Sequence, residues 1–246
     1  MRVHAVVLAA GTGRRYGRAA PKQLADLGGR TVLERAIDAV AVAGPATIVV
    51  VTSATTRPTV EQLDLGVRGR QIRIVDGGET RQASARRGLM SIEADPDDII
   101  LIHDAARPLV GERQVRGVID AVSSGASDGA APMLPLPDTI AFVDGPRIVE
   151  VPSRLGLRRL QTPQAFRAGV ILGAHAAAEA AGETDASDDI GLVLRHVPGV
   201  RIVGVPGDEA NLKITTPVDH LVASALFVAA DAGHHQPARK RRAQPA

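Results

Sequence analysis

Residues 3–15 read VHAVVLAAGTGRR, and this stretch decides the fold. Val3–Leu8 is a short, almost continuous apolar run rich in β-branched side chains. That is the signature of a parallel strand covered on both faces, since a strand with one wet face would alternate. The small residues Ala9, Ala10, Gly11 and Gly13 follow at once. They let backbone approach a ligand closely, and free N–H groups in such a loop suit phosphate oxygens. Runs of the same kind predict further strands at Thr47–Thr52, Gln71–Val75, Ile99–His103, Ala130–Leu134 and Arg201–Val205. Helical patterns between them fall near Thr31–Val42, Thr56–Leu65, Thr80–Ile92 and Glu112–Ser123. Thr31 with Glu34 makes a capping box. Thr216, Pro217 and Asp219 open a last helix toward Ala230. The alternation predicts an α/β fold with a doubly wound, mostly parallel, Rossmann-like sheet, and ligands at the carboxyl ends of its strands.

Composition fits this and removes several alternatives. The chain has 246 residues, 45% hydrophobic and 23% charged, with no Cys. Disulfide frameworks, thiolate zinc sites and cysteine nucleophiles are excluded together. The four aromatics, Tyr16, Phe142, Phe166 and Phe227, are too few for single-strand nucleic-acid stacking. The net charge of +2 includes Arg239, Lys240, Arg241 and Arg242; without these four the body carries −2. A slightly acidic body argues against nucleic-acid binding. We expect a single domain over 1–232 and a disordered basic tail over 233–246, rich in Pro, Ala and charge. No apolar stretch approaches the roughly 20 residues of a membrane span, and no secretory signal is visible, so a cytoplasmic protein is expected.

Leu136–Pro152 breaks the pattern with two short strands about Asp144-Gly145-Pro146. Such a hairpin has no core of its own and needs a partner surface, on this domain or on a second subunit.

The chemistry lies at the strand ends. A Rossmann GxGxxG fails at Tyr16, and no acid ends the second strand to hold a ribose; a Walker A fails at Arg14. What sharpens the first loop is the pair of cations, Arg15 and Lys22. The chain holds 29 Lys and Arg but only three Lys: Lys22, Lys213 and Lys240. In so Arg-rich a chain, Lys22 and Lys213 suit a task for a compact ammonium against phosphate. Asp104, at the end of the fourth strand, suits Mg²⁺ or a ribose hydroxyl, with Arg107 placed to orient it by a salt bridge. His103 reads as a hydrogen-bonded wall residue. The turn Asp76-Gly77-Gly78-Glu79 opens a helix and offers backbone to read a base edge. Arg154, Gln161–Gln164 and Asn211–Thr216 supply further polar groups. No GxSxG elbow and no HExxH is present, so the site is cationic, hydroxyl-rich and without an obvious general base.

LAAGTGRR…PKQ, DGGETRQAS, HDAARP, Asp138-Thr139, QTPQAF and NLKITTP, in that order over about residues 3–228, resemble the 2-C-methyl-D-erythritol 4-phosphate cytidylyltransferases. The related ribitol-5-phosphate cytidylyltransferases share much of this. The resemblance implies a nucleotidyltransferase sheet whose hairpin is a dimerisation arm. It implies a reaction in which Mg²⁺-bound CTP is attacked at its α-phosphate by a polyol phosphate. It makes Arg15, Lys22, Arg154 and Lys213 catalytic, and gives cytosine and ribose to Ala9, Ala10, Gly11, Gly78, Glu79, Ser84, Asp104 and Ala105. The polyol phosphate falls to Arg107, Thr139, Arg154, Thr162, Ser187 and Lys213, and the metal to the CTP phosphates with Asp104. Three positions depart from the family pattern. Leu8 stands where Pro is frequent. Both Thr184 and Ser187 fit the late hydroxyl, distance favouring Ser187. Ile190-Gly191 replaces the usual Ala-Ser, which is where a ribitol substrate enters as the alternative. Ser153–Leu157 looks more like the methylerythritol enzymes. A non-catalytic nucleotide-binding module is the reading from another class, opposed by the joint presence of Arg15, Lys22, Asp104 and Lys213.

Overall fold

The computed structural model describes residues 1–11, 13, 16–17, 21–66 and 71–234. Arg15 and the tail from residue 235 therefore lie outside the described residues.

Strands β1 (Val3–Leu8), β2 (Thr47–Thr52), β3 (Gln71–Asp76), β4 (Ile99–Asp104) and β5 (Gly129–Pro135) form where the apolar runs predict them. Helices α1 (Val32–Ala41), α2 (Arg57–Val60), α3 (Arg81–Met90) and α4 (Glu112–Ser123) lie between them. After β5 come a hairpin of β6 (Phe142–Asp144) and β7 (Arg147–Glu150), then β8 (Arg158–Leu160) and β9 (Gln164–Arg167). The chain continues through α5 (Ala168–Ala180), α6 (Asp189–His196), β10 (Ile202–Pro206) and α7 (Pro217–His234). The main sheet runs β10-β5-β9-β4-β1-β2-β3, with β8 also on β5. It is parallel except for β8 and β9.

Side-chain alternation divides the core in two. Ala5, Val7, Ile48, Val50, Ile99 and Leu101 meet α1 and α4 on one face. Val6, Val49, Val51, Ile100 and Ile102 meet α3, α5 and α6 on the other. Both sets are fully buried, which is why these strands read as unbroken apolar runs. The Thr31–Glu34 capping box forms: the Glu34 N–H donates to Thr31 Oγ1 at 3.2 Å, and the Thr31 N–H to Glu34 Oε2 at 2.7 Å. Asp219 caps α7 in the same way, accepting from the Thr216 N–H at 2.7 Å.

Two expectations need correcting, and one strand was not expected. The helix predicted over Thr56–Leu65 is a single turn, Arg57–Val60. Beyond it, Asp64 Oδ1 accepts from the Gly66 N–H and turns the chain, the local competition with a helix that Asp is prone to. The last helix runs to His234, past Ala230 and into the predicted tail. Between β4 and β5 stands the antiparallel β9, a short strand directly after Pro163 and invisible to periodicity.

The hairpin forms its own two-stranded sheet, β6 against β7. Phe142, Val143, Ile148 and Val149 are each about 60% exposed or more (61, 64, 66 and 59%), so this domain does not cover them. Among the described residues, no helix is long and apolar enough to cross a membrane.

Candidate active site

The carboxyl ends of β1 and β4 open on a cleft of about 490 Å³. It is lined by Ala9, Ala10 and Gly11 from the first loop, Gly78, Glu79 and Ser84 from the turn and first part of α3, and Asp104 and Ala105 after β4. Lys22 and Lys213 line it as well. All eight residues expected to hold the nucleotide thus meet at one place. The glycine turn is sterically required there. A Cβ on Gly77 would lie 2.4 Å from the Ala10 Cβ and 2.8 Å from Ser84 Oγ, so the turn and the first loop touch through hydrogen alone. Ser84 Oγ accepts from the Gly78 N–H at 3.1 Å and locks the turn.

Asp104 is buried and ion-paired with Lys213 at 2.7 Å and Arg81 at 3.6 Å. Burial by itself raises a carboxyl, but Lys213 and Arg81 outweigh it and hold Asp104 well below the usual range. The salt bridge expected from Arg107 is replaced by this arrangement. Arg107 Nη1 instead donates to the Asn211 carbonyl at 2.7 Å, because the Asn211–Thr216 segment folds back beside it. Lys22 Nζ likewise donates to the Ile214 carbonyl at 2.7 Å, tying the first loop to the same segment.

Behind Asp104 a chain of hydrogen bonds is fixed by its ends. His103 Nε2 faces the Arg107 carbonyl at 3.0 Å and must donate. Its Nδ1 then accepts from Thr162 Oγ1 at 3.0 Å, and that oxygen accepts from the Asp104 N–H at 3.0 Å. Full burial lowers His103 to about 4, so it stays neutral and is a wall residue, as expected. The same bonds occupy the Thr162 hydroxyl, which braces Asp104; Thr162, expected on the substrate, lines neither this cleft nor the smaller second one. A depressed histidine makes folding acid-sensitive, since the unfolded chain binds a proton that the native state refuses. Native stability should therefore fall by about 2 kcal/mol between pH 7 and pH 5 through His103 alone. Thermal melts of His103→Asn should show a flatter dependence over that range; an equal slope would remove this assignment.

A second, smaller cleft of about 270 Å³ carries Arg107, Arg159 and Glu209, and Lys213 lines both. Thr139 and Arg154 lie before and after the hairpin and line neither; Arg154 caps the Pro137 carbonyl. Ser187 is exposed, and neither it nor Thr184 lines either cleft. Sequence reasoning missed Arg81. It lines the first cleft and pairs with the buried Asp189 at 2.8 Å, which lies 3.4 Å from His175. A cation in the first turn of a helix, against the helix dipole, was the available signal.

For a metal, the donor set is thin. Among the described residues no group of three His, Asp or Glu could hold one, and Asp104 is already claimed by two cations. The site fits a divalent ion only if a ligand brings most of the oxygens.

A mostly parallel sheet ending in small-residue loops, with two lysine ammonium groups lining the cleft and its buried carboxylate, Asp104, held between Lys213 and Arg81, is the build of a nucleotidyltransferase. Comparison with known proteins narrows it. The family "2-C-methyl-D-erythritol 4-phosphate cytidylyltransferase" matches over residues 3–229, and the chain belongs to that family. It is 40% identical over 234 residues to the Thermobifida fusca (strain YX) protein of that name, covering 92% of this chain and 93% of the other. It is 39% identical to a "Bifunctional enzyme IspD/IspF" of Nitrobacter hamburgensis, but spans only 56% of that longer protein. The crystal structure of the Thermus thermophilus cytidylyltransferase superposes with a TM-score of 0.73 at 33% identity, over 93% of this chain and 100% of that one. The doubly wound fold is common to both.

Proposed function

We propose that this chain transfers the cytidylyl group of CTP to 2-C-methyl-D-erythritol 4-phosphate in the non-mevalonate route to isoprenoid precursors. An acceptor phosphate oxygen bonds to the α-phosphorus of CTP, the bond to the bridging oxygen breaks, and pyrophosphate leaves. The attacking phosphate is already anionic near neutrality, so no general base is needed. The barrier is the approach of anions, which positioning and fixed positive charge lower. The observation that carries the reading is Lys213, which lines both clefts. Nucleotide in the first cleft and acceptor phosphate in the second would meet across its ammonium. Arg107 joins the acceptor side and Lys22 the triphosphate side.

The reading includes Mg²⁺, held by triphosphate oxygens with Asp104 supplying at most one ligand; it gathers and neutralises those oxygens. It also includes a cytoplasmic homodimer joined through the hairpin, for which the uncovered Phe142, Val143, Ile148 and Val149 speak. Neither nucleic acid nor membrane takes part.

Pyrophosphate release, measured with CTP and each polyol phosphate in turn, tests the reaction. Methylerythritol phosphate should be the better acceptor, and greater kcat/KM with ribitol 5-phosphate would overturn the assignment. CTP should exceed ATP and GTP by at least about a hundredfold. The pocket at Gly78 and Ser84 reads a pyrimidine edge by hydrogen bonds, and such sites reject analogues that strand them. Comparable kcat/KM with ATP would leave only a generic nucleotidyltransferase.

A further inference from the structure

In the second cleft three cations converge where two carboxylates answer them. Lys213 is paired with Asp104 at 2.7 Å, and Arg159 with Glu209. Arg107 meets a neutral carbonyl through Nη1, and its buried Nε has no hydrogen-bond partner. A buried guanidinium N–H without an acceptor is costly, and among the described residues no carboxylate lies within ion-pair distance of Arg107, so its charge is not answered by the protein's own groups. Arg107 feels this crowding. Burial pushes its guanidinium down, Asp104 pushes it up, and Arg159 and Arg81 push it down again.

We propose that Arg159 is a further phosphate-binding residue of the second cleft, kept by Glu209 until the acceptor's phosphate takes the carboxylate's place. The proposal rests on the acceptor reading above. Arg159 is suited to it by where it sits. It lies on β8, registered opposite Leu134 of β5, and its Nε donates to the Pro135 carbonyl at 3.2 Å. That bond fixes the stem while leaving the two terminal nitrogens to a partner. Glu209 is a weak holder: its side chain is 71% exposed and that of Arg159 39%. An exposed pair of this kind contributes little and exchanges readily, whereas an Arg fork on a phosphate dianion makes two charge-assisted bonds. With Glu209 displaced, Arg107, Arg159 and Lys213 would hold a dianion from three sides. The cleft then favours an acceptor bearing a terminal phosphate over its dephosphorylated alcohol, which brings too little charge to separate the pair.

Calorimetric titration with inorganic phosphate, run on the full chain with CTP saturating the first cleft, reads this directly. Arg159→Ala should weaken phosphate binding about tenfold, and Arg159→Lys should recover part of the loss. Glu209→Gln should tighten it, since the competing carboxylate is gone. In the pyrophosphate assay Arg159→Ala should raise the KM for the polyol phosphate about tenfold and leave that for CTP as in the parent. A purely structural role would disturb both. Unchanged phosphate affinity in Arg159→Ala overturns the proposal. If that variant does not fold, Glu209→Gln decides, and unchanged affinity there overturns it equally. If phosphate binding responds as expected but the parent transfers nothing to methylerythritol phosphate, the acceptor reading fails and the role of Arg159 stands.

Discussion

Lys22→Ala lowers kcat by about two orders of magnitude or more and leaves the thermal unfolding profile close to the parent's. The expectation follows from what the ammonium does in this structure. It lines the first cleft while donating a hydrogen bond to the Ile214 carbonyl at 2.7 Å. That bond holds Nζ at the cleft, where its positive charge would meet the triphosphate in the function proposed above. Charge that is fixed before the reaction and meets charge developing in the transition state is worth most in the chemical step, so the loss falls on kcat. Lys22→Arg should restore only part, because a planar fork does not place its charge where a compact ammonium does. Arg15→Ala is expected to behave like Lys22→Ala. Near-normal turnover in Lys22→Ala would remove the first loop from the catalytic assignment.

Mixing two dead variants should restore activity. The resemblance assigns Arg154 to the polyol phosphate, yet here it follows the hairpin, bonds the Pro137 carbonyl and lines neither cleft of its own chain. A symmetric exchange of hairpins between two chains reconciles these facts, with Arg154 of one protomer entering the partner's second cleft. Lys22→Ala and Arg154→Ala homodimers are then each nearly inactive. A heterodimer contains one centre with both defects and one with neither, so it should regain up to about half of the parent's activity per dimer. Recovery absent after proven subunit exchange, or a monomer at assay concentration, would show that the hairpin serves another purpose.

How much of this was legible in the sequence depended on the kind of signal. Val3–Leu8 and Thr47–Thr52 are strands at the residues predicted, because a strand buried on both faces needs an unbroken apolar run. The Thr31–Glu34 and Thr216–Asp219 caps were readable because each joins the side chain of one residue to the backbone N–H of another three residues away. β9 was not readable: Gln164–Arg167 has no periodicity, and its place is set by pairing with Ile99–Ile102, far away in the chain. Nor was α5, whose Ala168–Ala180 run is apolar on nearly every side. In the site, the eight residues expected to hold the nucleotide could be singled out because they sit in short motifs at strand ends, and the fold gathers them round one cleft. Arg81 and Arg159 were not, since each owes its importance to partners distant in sequence, Asp104 and Asp189 for one, Glu209 for the other. Thr162 was singled out for its hydroxyl, but the bond of that hydroxyl to His103 depends on a residue that only the folded chain brings against it.

Lys213 serves two cavities with a single charge. Until a ligand arrives, Asp104 neutralises it across 2.7 Å. Whatever binds first and loosens that pair changes the potential felt in the neighbouring cavity. If CTP takes the first cleft and the acceptor the second, the two are thermodynamically linked, and linkage is reciprocal: the factor by which CTP alters affinity for the acceptor equals the factor by which the acceptor alters affinity for CTP. A charge shared in this way would couple unlike ligands without any change in how subunits sit against each other. Neutralising the shared ammonium, as Lys213→Met does, would uncouple them.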